Sequence, residues 1–359
     1  MIYLDYQATT PLAPEAREAM LQWLDGPEGT GFGNPHSPHR MGRMAAAAIE
    51  LARERVAALL PPGGRVIFTG SATEAINLAM RGSDRGQGGG IAASAIEHAA
   101  VLDTARALGQ LHELEVDADG LCNTAQKLPE DVRLICVMQV NNEIGTIQST
   151  LDWHRNAKAA NALYLCDAVQ AAGKVEVTSA DMIALSAHKL YGPKGVGALW
   201  VRDGLELDPQ ITGGGQEQGL RSGTLSPALI AGFGAAAQVA KERMAEDAEH
   251  VEALWNRALD LFEGWELNGS AVARWHGNLN LRRDGLDVAR LMSDCREVMF
   301  SAGSACASGS GRPSHVLRAI GLTDARAKSS IRLGFGRYTT MEELEAAAKS
   351  ITSAAVQQG

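Results

Sequence analysis

No stretch of the 359 residues reaches the roughly 18 consecutive apolar positions that a membrane-spanning helix needs, so a membrane protein is not expected. The opening MIYLDYQATT lacks the basic-then-apolar order of an export signal, and a cytoplasmic protein is expected. Cysteine is scarce and unpaired in pattern. Cys122, Cys136, Cys166, Cys295 and Cys306 are odd in number and include no C-x-x-C pair, which argues against both a disulfide framework and a zinc site. Positive charge is in deficit, with 33 Lys and Arg against 42 Asp and Glu; a net charge of −9 argues against a broad nucleic-acid-binding face. Direct nucleic-acid binding is therefore not expected, and small molecules or proteins are the expected partners. Internal repeats and low-complexity tails are absent too, and DRGQGGG at 84–90 reads as one loop between a helix and a strand.

What is present is an alternation. Helical stretches such as MGRMAAAAIELARERVAALL (41–60) and AAVLDTARALG (99–109) interleave with short apolar runs at 65–70, 90–94, 133–140, 162–167, 181–187 and 196–203. Buried runs between helices predict an α/β fold with a mainly parallel sheet covered on both faces. From Ser226 a long helical region bridges into a second unit, and Thr340 with Glu343 predicts a capping box before the last helix. The large domain is expected at 14–245, and a smaller α+β domain at 1–13 plus 246–359.

Ligands of open parallel sheets bind beyond the carboxyl ends of the strands, so the residues there are the candidates. After RVIFT, GSATEAINLAM opens a helix whose first N–H groups could hold a phosphate near Ala72 and Thr73; Ser71 and Glu74 also read as an ordinary capping box. His98 begins a helix, where a lone histidine is more often structural. Asn141, Asn142 and Glu143 follow the strongest strand and could fix a ligand or simply make a turn. Asp167 closes one strand with Gln170 just beyond, and Ser186, His188 and Lys189 close the next. An acid and a lysine meeting there form either a salt bridge at the sheet rim or a Schiff-base lysine beside a carboxylate. A phosphate-competent turn, a lysine and an acid together match the needs of pyridoxal phosphate. His36 and His39 in NPHSPHRMG lack carboxylate or thiol companions, so no metal site is expected.

In order along the chain, YLDYQATTPL, GSATEAIN, EHAAVL, NNEIGT, DAVQAAGK, SAHKLYGPKGVG, GGGQEQGLRSGT, SAGSACASG, PSHVLRAIGL and SSIRLGFGRYTT resemble the successive motifs of cysteine desulfurases of the NifS/IscS type, covering about residues 3–346. The resemblance implies a fold-type I enzyme with a seven-stranded type of sheet and pyridoxal 5'-phosphate as cofactor. It implies Lys189 as the attachment and proton-transfer lysine, Asp167 at the pyridinium nitrogen, Gln170 at the ring hydroxyl, and His98 as a catalytic residue stacked on the ring and shuttling protons. Ala72, Thr73, Ser186 and His188 are implied at the phosphate, with Thr224 reaching the phosphate of a second subunit in a homodimer. Asn142 and Arg332 are implied in substrate binding, the guanidinium clamping the carboxylate of L-cysteine.

Cys306 matches the family's nucleophile, a loop thiol that takes the substrate sulfur and leaves alanine. Gly303, Gly309 and Gly311 around it predict a backbone with few steric restrictions. The other four cysteines are expected to be inert core residues, with Cys166, beside Asp167, the one to watch. A sulfur-acceptor protein such as an iron–sulfur scaffold is implied, with tRNA thiolation and nitrogenase supply also open. Within the same fold the rivals are a selenocysteine lyase and an aminotransferase; outside it, a non-catalytic scaffold, which predicts no cofactor.

Overall fold

The computed structural model describes residues 1–86, 88–109, 111–303 and 313–358. The elements of its first half are β1 (Ile2–Tyr3), α1 (Pro14–Leu21), α2 (Arg40–Ala57), β2 (Gly64–Thr69), α3 (Ala72–Gly82), β3 (Gly90–Ser94), α4 (Ala99–Ala107), β4 (Leu111–Leu114), β5 (Val132–Cys136), α5 (Thr150–Ala159), β6 (Leu163–Asp167) and β7 (Met182–Ser186). There follow β8 (Gly197–Arg202), α6 (Pro227–Leu261), β9 (Glu266–Leu267), β10 (Asn278–Arg282), α7 (Val288–Asp294), β11 (Val298–Met299), β12 (Ser301–Ala302), α8 (His315–Ala319), α9 (Asp324–Lys328), β13 (Ser330–Gly334) and α10 (Met341–Val356).

The main sheet runs β2-β8-β7-β6-β5-β3-β4. Strands β3 to β7 pair in parallel, and β8 alone runs antiparallel to both of its neighbours. Because β3, β6 and β7 are shielded on both faces, they can be read as continuous apolar runs. Their side chains split between two cores. Ile91, Leu134, Leu165, Met182 and Leu199 pack under α3 and α4, while Val66, Ile135, Tyr164, Ile183 and Trp200 face the other way with α2, α5 and α6.

The long helical region after Ser226 is a single helix, α6, of 35 residues, started by the Ser226 hydroxyl accepting from the Leu229 N–H with Pro227 in its first turn. A second, antiparallel sheet of order β12-β13-β10-β9 lies beyond it, and β1 pairs with β11. The Thr340–Glu343 box is present, both halves at 3.1 Å. No helix among the described residues is long and apolar enough to cross a membrane.

Candidate active site

A cavity of about 300 Å³ opens over the carboxyl ends of β2, β3, β5, β6 and β7. It is lined by Ala72, Thr73, His98, Asn142, Asp167, Gln170, Ser186, His188, Lys189 and Arg332, which the sequence places on one site, and also by Gln7, Ala8, Ser71, Ile76, Met138 and Val169.

One wall is the start of α3. Ser71 Oγ accepts from the Glu74 N–H at 3.2 Å, as a cap should. The reciprocal half of the expected box is different: Glu74 accepts from the Gly70 N–H at 2.7 Å and pairs with Arg221 Nε at 2.7 Å. That tertiary ion pair draws the carboxylate away from the Ser71 N–H. The N–H groups of Ala72 and Thr73, orphans of the first turn, have no hydrogen-bond acceptor among the described residues. Gly197, the first residue of β8, makes room behind this turn, since a Cβ there would stand 2.5 Å from Ser71 C and 2.8 Å from Ala72 N.

Asp167 is the last residue of β6, and its Oδ1 accepts from the Val169 N–H at 2.9 Å. Burial pushes its carboxyl above the usual carboxylate range, against the opposing pull of His98, that hydrogen bond and Lys189. Lys189 ends the 3-10 turn after β7, and its Nζ donates to the carbonyls of Gln7 and of Ala8, the latter at 2.8 Å.

His98 caps α4 with Nδ1, which accepts from the Ala100 N–H at 3.0 Å, so the hydrogen of the neutral ring is on Nε2. Burial lowers the pKa of this imidazole, helped by Lys189 and His315 and opposed by Asp167, which agrees with a neutral capping ring. His188, beside Thr9 Oγ1 at 3.1 Å, is pushed down to about 4 by burial and by Lys189, Lys194 and Lys174.

At the opposite wall Arg332 lies mid-strand in β13, 1% exposed. Nη1 donates to the Asn142 carbonyl at 3.0 Å and Nη2 to Asp5 Oδ1 at 2.9 Å, while the buried Nε has no acceptor among the described residues. The cavity thus has a helix-start anion cradle, a buried guanidinium, and an amine and a carboxylate among its other walls. Such a site takes a ligand, or a pair, carrying a phosphate and a carboxylate.

The aminotransferase class-V family matches residues 2–347. The cysteine desulfurase IscS of Colwellia psychrerythraea is 40% identical over 376 residues, covering 98% of this chain and 92% of that protein. Its counterpart in Aeromonas salmonicida is 43% identical over 373 residues, with 98% and 91% covered. The chain belongs to the class-V aminotransferase family, among its cysteine desulfurases. Among solved structures, a NifS-like protein superposes with a TM-score of 0.90 at 31% identity over 98% of both chains. SspA in complex with cysteine superposes with a TM-score of 0.83 at 34% identity, covering 95% of this chain and all of that one.

In this cysteine desulfurase one described residue expected at the phosphate does not line this cavity. Thr224 is exposed and lines a separate pocket with Gly195, Arg221 and Ser226. Cys306 lies outside the described residues. The other four thiols are buried and free. Burial raises Cys122 to about 12 and pushes Cys136 and Cys166 well up, which leaves almost no thiolate near neutrality. Alkylation of the native protein at mildly alkaline pH, read by peptide mass spectrometry, is expected to spare all four until denaturant is added.

Sequence reasoning left Gln7, Ala8 and Asp5 without a role, although their motif, YLDYQATTPL, is part of the resemblance. Gln7 and Ala8 bind Lys189 through backbone carbonyls, which no residue type advertises. Asp5 had a readable signal: a charge in an otherwise apolar strand end, here answered by Arg332.

Proposed function

We propose that this cysteine desulfurase seats pyridoxal 5'-phosphate in the cavity, acts on L-cysteine held by Arg332, and passes the sulfur to Cys306. The observation that carries this reading is the convergence of Lys189, Asp167, the start of α3 and Arg332 on one cavity. The residues fit the cofactor. The orphan N–H groups of Ala72 and Thr73, with Ser186 and His188, suit its phosphate; Asp167 suits its ring nitrogen, Gln170 its hydroxyl and the His98 ring its face. An anionic phosphate also suits a helix start on electrostatic grounds.

When bound, the cofactor supplies an electron sink for the bonds at the amino acid's α-carbon. The chain's own residues do the rest. Arg332, which lines the cavity, holds the substrate carboxylate, with the Asn142 carbonyl and Asp5 fixing the guanidinium plane. Lys189 Nζ takes the α-proton, and the Gln7 and Ala8 carbonyls hold the amine where it can do so. Asp167 would pair with the cofactor's ring nitrogen and favour its protonated form. Cys306 Sγ, as thiolate, attacks the substrate sulfur: an S–S bond forms, the C–S bond breaks, its electron pair stays on carbon, and protonation there yields alanine. L-cysteine plus the enzyme thiol gives L-alanine plus the enzyme persulfide, so no external oxidant is needed.

The relatives named IscS support a protein acceptor for that sulfur, such as an iron–sulfur scaffold. The exposed Thr224 supports a homodimer in which it reaches the second subunit's phosphate. A division near residue 245 falls inside α6, and the pairing of β1 with β11 supports grouping 1–13 with the C-terminal unit.

The test is purified enzyme with L-cysteine and a thiol reductant, following alanine, sulfide and the visible cofactor band together. Equal amounts of alanine and sulfide from a yellow protein support the reading. A colourless protein overturns the cofactor assignment, and a coloured one that makes no sulfide overturns the reaction. Arg332→Lys is expected to raise KM for L-cysteine by roughly 10- to 100-fold with a smaller loss in kcat, because a point ammonium cannot replace the bidentate fork.

A further inference from the structure

Lys174 follows β6 by seven residues and does not line the cavity, yet its Nζ donates to Gln170 Oε1 at 2.9 Å. Gln170 Nε2 in turn donates to the Gln7 carbonyl at 3.0 Å, the same carbonyl that receives Lys189 Nζ. An amide can be turned over at little intrinsic cost, so something must decide which end faces the cavity. An ammonium decides it. Having three donors and no acceptor, Lys174 tolerates only the carbonyl oxygen of Gln170, and the NH2 end is left for Gln7 and the cavity.

We infer that Lys174 is a positioning residue that locks the Gln170 amide with its NH2 toward the cofactor and supports the contact between Gln7 and Lys189. The inference rests on the cofactor reading above.

Two features support it, and a third sets the pH range over which it holds. The turn that delivers Lys174 is costly to alter: Gly173 has φ +74°, and a Cβ there would meet Ala240 Cβ at 2.8 Å. Lys174 forms no ion pair among the described residues; a neutral amide is its partner, and an apolar side chain would be cheaper to bury there. Burial lowers its ammonium to about 7, with Lys189 adding to the effect, so the lock is complete only below that pH, and Lys174 acts in return on His188. The titratable groups around it are therefore Lys189 on the turn after β7 and His188 beside it, whose imidazole is lowered to about 4.

The test compares wild type with Lys174→Met and Lys174→Arg, each loaded with pyridoxal phosphate, by titrating the visible cofactor band against pH and by recording Tm. Methionine removes a cation and unlocks the amide; both changes favour the protonated chromophore, so its midpoint is expected to rise by about half a unit or more. Arginine, which also only donates, is expected to stay near the wild-type midpoint. A midpoint unchanged in Lys174→Met while Tm falls overturns the inference and leaves Lys174 a structural residue. An equal rise in both variants also overturns it, since arginine keeps the amide locked. A wild type that binds no pyridoxal phosphate overturns the cofactor reading instead, and shows itself before any variant is compared. If Lys174→Met fails to fold, Lys174→Gln serves, because its amide can satisfy Gln170 in either orientation and is expected to raise the midpoint by less.

Discussion

Lys189→Ala is expected to abolish desulfuration, with turnover reduced roughly 1,000-fold or more, the upper part of the range for removing a positioned proton-transfer group. Two losses combine in this variant. The amine that takes the α-proton is gone, and so is the covalent attachment that the resemblance assigns to it. The visible band of the bound cofactor is expected to vanish or move, while the cradle at Ala72 and Thr73 should still hold phosphate. Equilibrium dialysis of pyridoxal phosphate against Lys189→Ala separates these effects. Retained binding without turnover is the expected outcome, and normal turnover in the variant sinks the assignment of Lys189. The fold should survive the change, because Lys189 lines the cavity and its Nζ bonds carbonyls of the N-terminal segment.

The sites of success and failure in the sequence reading have physical causes. Strands β3, β6 and β7 were legible because a parallel strand buried on both faces must be apolar throughout. Strand β4, LHEL, was not, because it is an edge strand whose His112 and Glu113 are exposed, which leaves no apolar run to read. The acid and lysine at the ends of β6 and β7 were legible as neighbours because consecutive strands of such a sheet tend to be adjacent. Arg332 comes from another sheet some 165 residues beyond Asp167 in the chain, and only the resemblance brought the two together. The Glu74 carboxylate shows the limit of local rules. Spacing alone predicts a capping box, and Arg221, distant in sequence, redirects one half of it. Lys174 shows another limit: a lysine after a turn reads as solvated, and only its contact with Gln170 separates it from the many that are.

Cys306→Ser is expected to keep the visible cofactor band and the spectral response to added L-cysteine, yet to lose sulfide release and alanine formation to about one hundredth of wild type or less. A serine hydroxyl stays protonated near neutral pH and has no affinity for divalent sulfur, so it cannot accept the transferred atom. The remaining cysteines offer no detour. Cys166 stands next to Asp167, close to the chemistry in sequence, but burial and the Asp167 charge both push its thiol far above neutrality. Cys136 is fully enclosed as well, and Cys122 is raised to about 12. Residual alanine without persulfide in Cys306→Ser would mean that sulfur departs without an enzyme nucleophile. Persulfide formation at wild-type rate would mean that another thiol performs the attack, and Cys166→Ala in the same background would then show whether the pair Cys166 and Asp167 can open far enough to do so. The split between a retained band and a lost product separates seating the cofactor, which the strand ends of the main sheet perform, from accepting sulfur, which they cannot.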